Sequence, residues 1–187
     1  LDLEANQIDE IPNYSFFGLK LMKINMKANR VSKVSEYGFS GLEKSLTELD
    51  LAENKLKTFP MSALKNLEYL HSLRLAWNEI DSIPEDGYSR LIALSFLDLS
   101  SNNFEVIPED CFRPCPSLKT LTLFYNSIET IHRLAFASLI NLESLDLSQN
   151  RIIVLDRETF QFNKKLKTID LNHNHIHHIG GLFQNLP

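Results

Sequence analysis

The sequence has no apolar run approaching the length needed to cross a bilayer, and its opening, "LDLEANQIDE", has neither the basic nor the apolar region of a secretion signal. Any membrane attachment is therefore expected to come from a segment outside this chain. No initiator methionine stands at the start, so the chain is expected to be an excerpt of a longer protein, truncated at both ends. Lys and Arg are scattered and the net charge is −5, so the basic stripe that neutralises a phosphate backbone is missing. Nucleic acid is accordingly not expected as a partner. There is also no Gly-rich phosphate loop, nucleophile elbow, HExxH or CxxC pair. The expectation is a chain without enzymatic activity, cofactor or resident metal. What is present is 43% hydrophobic residues over 187 positions, enough to bury a substantial core.

That hydrophobic content is periodic. "LTELDLAEN" at 46–54 returns as "LHSLRLAWN", "LSFLDLSSN", "LKTLTLFYN", "LESLDLSQN" and "LKTIDLNHN", with a looser copy, "LMKINMKAN", at 21–29 and a partial one, "LDLEAN", at the start. The closing asparagines are Asn6, Asn29, Asn54, Asn78, Asn102, Asn126, Asn150 and Asn174, spaced by 23, 25 and then five times 24. Alternation at Leu49, Asp50 and Leu51 has period two, so each copy supplies a short strand with one apolar edge. A single copy cannot bury that edge. Stacked in parallel, about eight copies form a continuous leucine core in which each repeat touches only its neighbours. The recurring Asn falls where the chain leaves the strand, among backbone groups without a strand partner, and its amide both donates and accepts. All eight are read as a buried structural ladder. Ten residues beyond the Asn come Phe16, Phe39, Tyr88, Phe112, Phe136 and Phe160, with Leu64 the exception, read as a packed back edge.

The pattern LxxLxLxxNxIxxIxxxxFxxLxx resembles the leucine-rich repeat family over the whole chain. Its "IPxxxFxxL" half is similar to the 24-residue subclass of Toll-type receptors, Slit-like guidance proteins and small matrix proteoglycans. The resemblance implies an α/β solenoid, a curved horseshoe segment forming one domain over residues 1–187. A parallel sheet would line its concave face, with loops or short helical turns on the convex face. It further implies an extracellular or cell-surface interaction module, although the cysteine-rich caps usual in such relatives are missing.

Register assigns the remaining candidates. Cys111 and Cys115 fall in inward slots, as two buried small hydrophobes or as a local disulfide. "NYS" places Asn13 on the outer, non-strand side as a candidate glycosylation acceptor. Asp2, Asp50, Asp98, Asp146 and Asp170 recur at one strand position and read as a solvated column on the inner face. Four histidines, His173, His175, His177 and His178, crowd "NHNHIHH" in solvent slots, the last two between inward Ile176 and Ile179. They are expected to hold no purposeful metal site.

The slot before each Asn, and the slot before that, hold small or polar residues except in the middle, where Trp77, Phe124 and Tyr125 appear, joined by Phe96 and Arg74 from nearby strand slots. Such side chains gain nothing from the leucine core and are the types that dominate interface hot spots. With Glu53, Asp98 and His173 they form the expected partner-binding set on the concave face. Acidic Asp50, Glu53 and Asp98 beside the patch, with Lys23 and Lys27 toward the N-terminal end, would steer a partner of mixed or basic charge. The expected function is binding of a protein ligand or co-receptor within a secreted or cell-surface receptor or adhesion protein. The alternatives are an intracellular scaffold or regulator of signalling, located in the cytoplasm, and a structural matrix component.

Overall fold

The computed structural model describes residues 1–84, 91–184 and 186. Its main element is a seven-stranded parallel sheet built from β2 (Lys23–Asn25), β4 (Glu48–Asp50), β5 (Ser72–Arg74), β6 (Phe96–Asp98), β8 (Thr120–Thr122), β10 (Ser144–Asp146) and β11 (Thr168–Asp170), stacked in chain order. A bridge from Asp2 to Asn25 extends it at the N-terminal edge. The register aligns Leu49, Leu73, Leu97, Leu121 and Leu145 across successive strands, and all five are buried while their neighbours on either side face outward. Period-two alternation thus converts directly into one apolar row per slot. Parallel pairing also continues past the named strands: the Trp77 N–H donates to Ser100 O at 2.9 Å and the Ser101 N–H to Phe124 O at 2.8 Å.

Away from the sheet the chain runs mostly in turns. The described residues contain one short helix, α1 (Met61–Leu64), and two small parallel pairs, β1 (Glu10–Ile11) with β3 (Lys33–Val34) and β7 (Val106–Ile107) with β9 (Thr130–Ile131). Opposite the sheet, Phe16 stacks on Phe39 with ring centroids 5.8 Å apart, and Phe112, Phe136 and Phe160 form a second stack at 5.8 and 6.1 Å. Leu64 fills the same row and is fully buried. Tyr88 lies outside the described residues. The solenoid therefore has one wall of leucine and one of phenylalanine, with pairs such as Ile80 and Ile83 or Ile128 and Ile131 buried between them.

The asparagines bind one repeat to the next. Asn102 Nδ2 donates to Leu75 O of the previous repeat at 2.9 Å and to its own Leu99 O and Ser100 O, while its Oδ1 accepts the Ile80 N–H at 2.9 Å. The same four bonds recur at Asn29, Asn54, Asn78, Asn126, Asn150 and Asn174, always reaching back to the preceding repeat. At the two ends the structure corrects the sequence reading. Within residues 1–187 Asn6 is exposed and bonds its own Leu3 O and Glu4 O. Asn174 keeps its bonds to Leu147 O and Ile152 N but is only half-buried, since β11 has a neighbour on one side alone. For the same reason Ile179, expected to point inward, is 60% exposed.

Polar residues also enter the core on the far side, Thr159 and Asn163 among them. Asn163 stands in the slot of Leu67, Leu91, Cys115 and Leu139, fully buried, and donates to Phe136 O at 3.0 Å and Leu139 O at 2.9 Å. It satisfies turn carbonyls of the repeat before it, the same task the main ladder performs on the sheet side.

Candidate interaction surface

The residue before each ladder Asn does not lie on the sheet. Ala5, Ala28, Glu53, Trp77, Ser101, Tyr125, Gln149 and His173 all have φ between +52° and +57°, in the left-handed region, beyond the end of the strand. This corrects the expectation of outward strand positions: the column forms the rim where the chain turns off the sheet. None of the eight is glycine, although the conformation costs an L-residue on the order of 1 kcal/mol. It turns the chain so that the carbonyls at the end of the strand converge on the amide of the following Asn, whose bonds hold it there. The slot two before the Asn also differs from the reading. Ala52, Ala76, Ser100 and Ser148 are buried rather than outward, with Ser100 Oγ 2.9 Å from Thr122 Oγ1. Phe124 is too large for that slot and emerges, 37% exposed, as do Glu4 and Asn172, while Lys27 is half-buried.

On this rim Trp77 is 61% exposed and Tyr125 56%. Two rungs separate them, about 9.6 Å at the usual strand spacing. Their ring centroids are nevertheless 6.4 Å apart and nearly parallel, so the rings lean together over Ser101. Phe124 packs against Tyr125 at 5.8 Å. The other two expected residues form a separate pair on the strand face itself, with the Arg74 guanidinium 5.2 Å from the centre of the Phe96 ring. Arg74 lies in register between Asp50 and Asp98. The five residues thus fall into a rim cluster and a strand-face pair.

The acidic column also does a local job. Asp50 Oδ1 accepts the Ala52 N–H, Asp98 the Ser100 N–H and Asp146 the Ser148 N–H, each at 2.9 Å, and Asn25 makes the same bond to Lys27. A short side chain bonding the backbone two residues on ends the strand. Asp50, Asp98 and Asp146 are therefore half-buried and bonded rather than simply solvated, while Asp2 and Asp170 at the ends of the column are exposed. Burial pushes the Asp50 carboxyl above its ordinary value, against the Ala52 N–H and Arg74, which favour the charged form. Nearby, Glu53 pairs with Lys27 at 3.2 Å, and that hydrogen bond raises the lysine's pKa.

His173 lies on the exposed rim and, with His175, lines a groove of about 510 Å³ beside the Trp77 and Tyr125 rings. His177 and His178 are exposed, and no cluster of three metal-binding side chains occurs among the described residues. Cys111 and Cys115 are buried thiols rather than a disulfide. Burial pushes the Cys115 thiol up to about 12, which removes it as a nucleophile. Asn13 is exposed away from the sheet, its Oδ1 accepting the Tyr37 N–H at 3.0 Å, next to the stacked Tyr14 and Tyr37 rings.

The family model described as leucine rich repeat matches residues 44–104, 93–152 and 140–187. No curated protein matches the sequence. Among solved structures, the chain is similar to TLR13 in the TLR13–ssRNA13 complex, with a TM-score of 0.75 and 27% identity, covering 99% of this chain and 31% of that one. It is similar to human 5T4 (Wnt-activated inhibitory factor 1, trophoblast glycoprotein), with a TM-score of 0.72 and 29% identity, covering 92% of this chain and 68% of that one. Similarity to Toll in the Drosophila Toll–Spatzle complex has a TM-score of 0.70 at 21% identity, covering 99% of this chain and 33% of that one, and speaks to the fold alone. The chain thus spans about a third of the TLR13 and Toll chains. TLR13 is seen there with an RNA, so the exclusion of nucleic acid drawn from scattered basic residues finds no support in this neighbour.

The raised Asp50 carboxyl has a testable sign. Folding favours its protonated form, so its contribution is most favourable below the unfolded-chain value and is lost as pH rises through the higher folded one. Asn in this slot keeps the backbone bond, as Asn25 demonstrates. Asp50→Asn is expected to raise the melting temperature slightly at pH 7, with the gain shrinking as pH is lowered toward the carboxylate range. An unchanged or lower melting temperature at pH 7 would contradict the desolvation argument.

Proposed function

This chain belongs to the leucine-rich repeat family, and on that premise we propose that it is a non-enzymatic protein-interaction module that binds a protein ligand or co-receptor across the concave sheet face and its rim. In this reading residues 1–187 act as one domain of about eight repeats within a secreted or cell-surface receptor or adhesion protein. The observation that carries the reading is the Trp77 and Tyr125 pair, large, exposed and stacked in a column whose other members are small or polar. Neither ring contributes to the leucine core, and an exposed aromatic cluster without a packing role is a binding signal. Phe124, with the Arg74 and Phe96 pair on the adjoining strands, widens the surface. Asp98, Glu53 and His173 give it mixed charge, with Lys23 and Lys27 toward the N-terminal end.

The extracellular setting is supported by similarity to TLR13 and to 5T4, a trophoblast glycoprotein, both above a quarter identity. No helix among the described residues is long and apolar enough to cross a membrane. A protein partner is favoured over RNA because the strand face carries the acidic column of Asp50, Asp98, Asp146 and Asp170 and no basic stripe. Asn13 fits the same setting as a glycosylation acceptor, since its exposed side lies away from the proposed binding face and leaves that face uncovered.

The double substitution Trp77→Ala/Tyr125→Ala is expected to weaken a partner identified on an extracellular-protein array by about tenfold or more, with melting temperature and circular dichroism unchanged. Undiminished affinity would reject the rim as the recognition surface. Secretion from a eukaryotic host is expected to give a mass increase that Asn13→Gln removes, and an unshifted mass would reject the modification.

A further inference from the structure

We propose that the groove running from the Trp77 and Tyr125 rings to Arg151, His173 and His175 is a subsite for an acidic peptide segment of the partner, an inference that rests on the protein-binding reading above. The groove is built from Asn102, Asn126 and Asn150 of the ladder and from the residues just before and just after ladder asparagines of successive repeats. Acidic residues outnumber basic ones by 24 to 19 in the chain, yet none of the twelve residues lining the groove carries a carboxylate. Arg151 supplies the fixed positive charge. Its only ion pair among the described residues is to Glu129 at 3.9 Å, beyond hydrogen-bond reach and exposed on both sides, which leaves the guanidinium fork available to a second carboxylate. His173 and His175 add imidazole nitrogens on the adjacent rung.

A second observation marks the other end. Ser101 is about nine-tenths buried and its Oγ has no hydrogen-bond partner. It occupies the rung between Trp77 and Tyr125, whose rings lean together above it. A buried hydroxyl without a partner is costly, and this one lies on the rung between two exposed rings. When the rings part, a segment entering between them gains both aromatic faces and the Ser101 hydroxyl.

The charge decides between classes of occupant. One arginine suits a carboxylate or two. It is too little for a polyphosphate, which releases counterions in proportion to the many cations it meets. An acidic peptide with an aromatic or small side chain satisfies both ends.

The test titrates the chain with a short fluorescein-labelled peptide of Asp and Glu around a single Tyr, with its Lys-for-acid counterpart and with a single-stranded RNA oligonucleotide. The acidic peptide is expected to bind saturably and the Lys peptide not. Arg151→Glu should weaken the acidic peptide by about tenfold or more. Ser101→Trp should fill the space between the rings and abolish binding; because position 101 is buried, circular dichroism must show the fold retained, and Arg151→Glu at the exposed end carries the test where it is not. Equal or absent binding of the two peptides overturns the proposal. So does RNA binding more tightly than the acidic peptide with the same Arg151 dependence, or a dimer of the chain that Arg151→Glu dissolves. If a partner is lost in Trp77→Ala/Tyr125→Ala but is indifferent to Arg151→Glu and uncompeted by the acidic peptide, the rim remains a binding surface and the acidic subsite falls.

Discussion

Each ladder asparagine from Asn29 to Asn174 satisfies four backbone groups with one side chain, and at least two of them belong to the preceding repeat. For Asn126 these are the Leu99 carbonyl at 3.0 Å and the Phe104 N–H at 3.1 Å. Leucine burial draws repeats together but has no direction. The amide supplies the direction, because its donor and acceptor sides must both be matched, and this fixes the register between rungs. No other side chain of that size donates to carbonyls on one side and accepts an N–H on the other. The buried turn where the chain leaves the sheet would otherwise hold several unpaired backbone groups per repeat, each costly in a dry interior.

That constraint explains the rim. With carbonyls gathered onto the amide, the preceding residue is held at positive φ whatever its side chain, as tryptophan, tyrosine, glutamate, alanine and histidine all show. The side chain there takes no part in the leucine core, although Ser101 is itself buried. A column of positions with fixed backbone and free chemistry is well suited to recognition, since little is spent on ordering it when a partner arrives. The Trp77 and Tyr125 rings, the Ser101 hydroxyl beneath them and Arg151 further along all hang on this frame.

The period of the sequence made the leucine rows, the asparagine column and the phenylalanine wall legible, since each is one residue type returning to one slot. The positive φ of the rim was not, because its usual marker, glycine, is missing from all eight positions and the conformation is imposed by hydrogen bonds from the next residue. Asp50 and its counterparts looked solvated because alternation distinguishes only two faces, and it cannot reveal that a short carboxylate folds back onto the N–H two residues on. Ala52 and Ser100 looked outward for a related reason: beyond the three-residue strand the period of two no longer applies. Asn163 was hidden in a leucine slot, where only the geometry of the turn explains an amide. The site residues were found by exception, as large side chains among small ones. Their division into a rim cluster and a strand-face pair needed coordinates.

The account rests on the amide's donors, and equilibrium urea unfolding of Asn102→Asp beside Asn6→Asp addresses them directly. Aspartate keeps the acceptor and shape at position 102 but leaves Leu75, Leu99 and Ser100 carbonyls without their donor and places a charge in a buried turn. The expected loss is about 3 kcal/mol or more at Asn102, against less than about 0.5 kcal/mol at exposed Asn6, which reaches no preceding repeat. Equal and small losses at both positions would contradict the ladder as the interaction that holds the repeats in register.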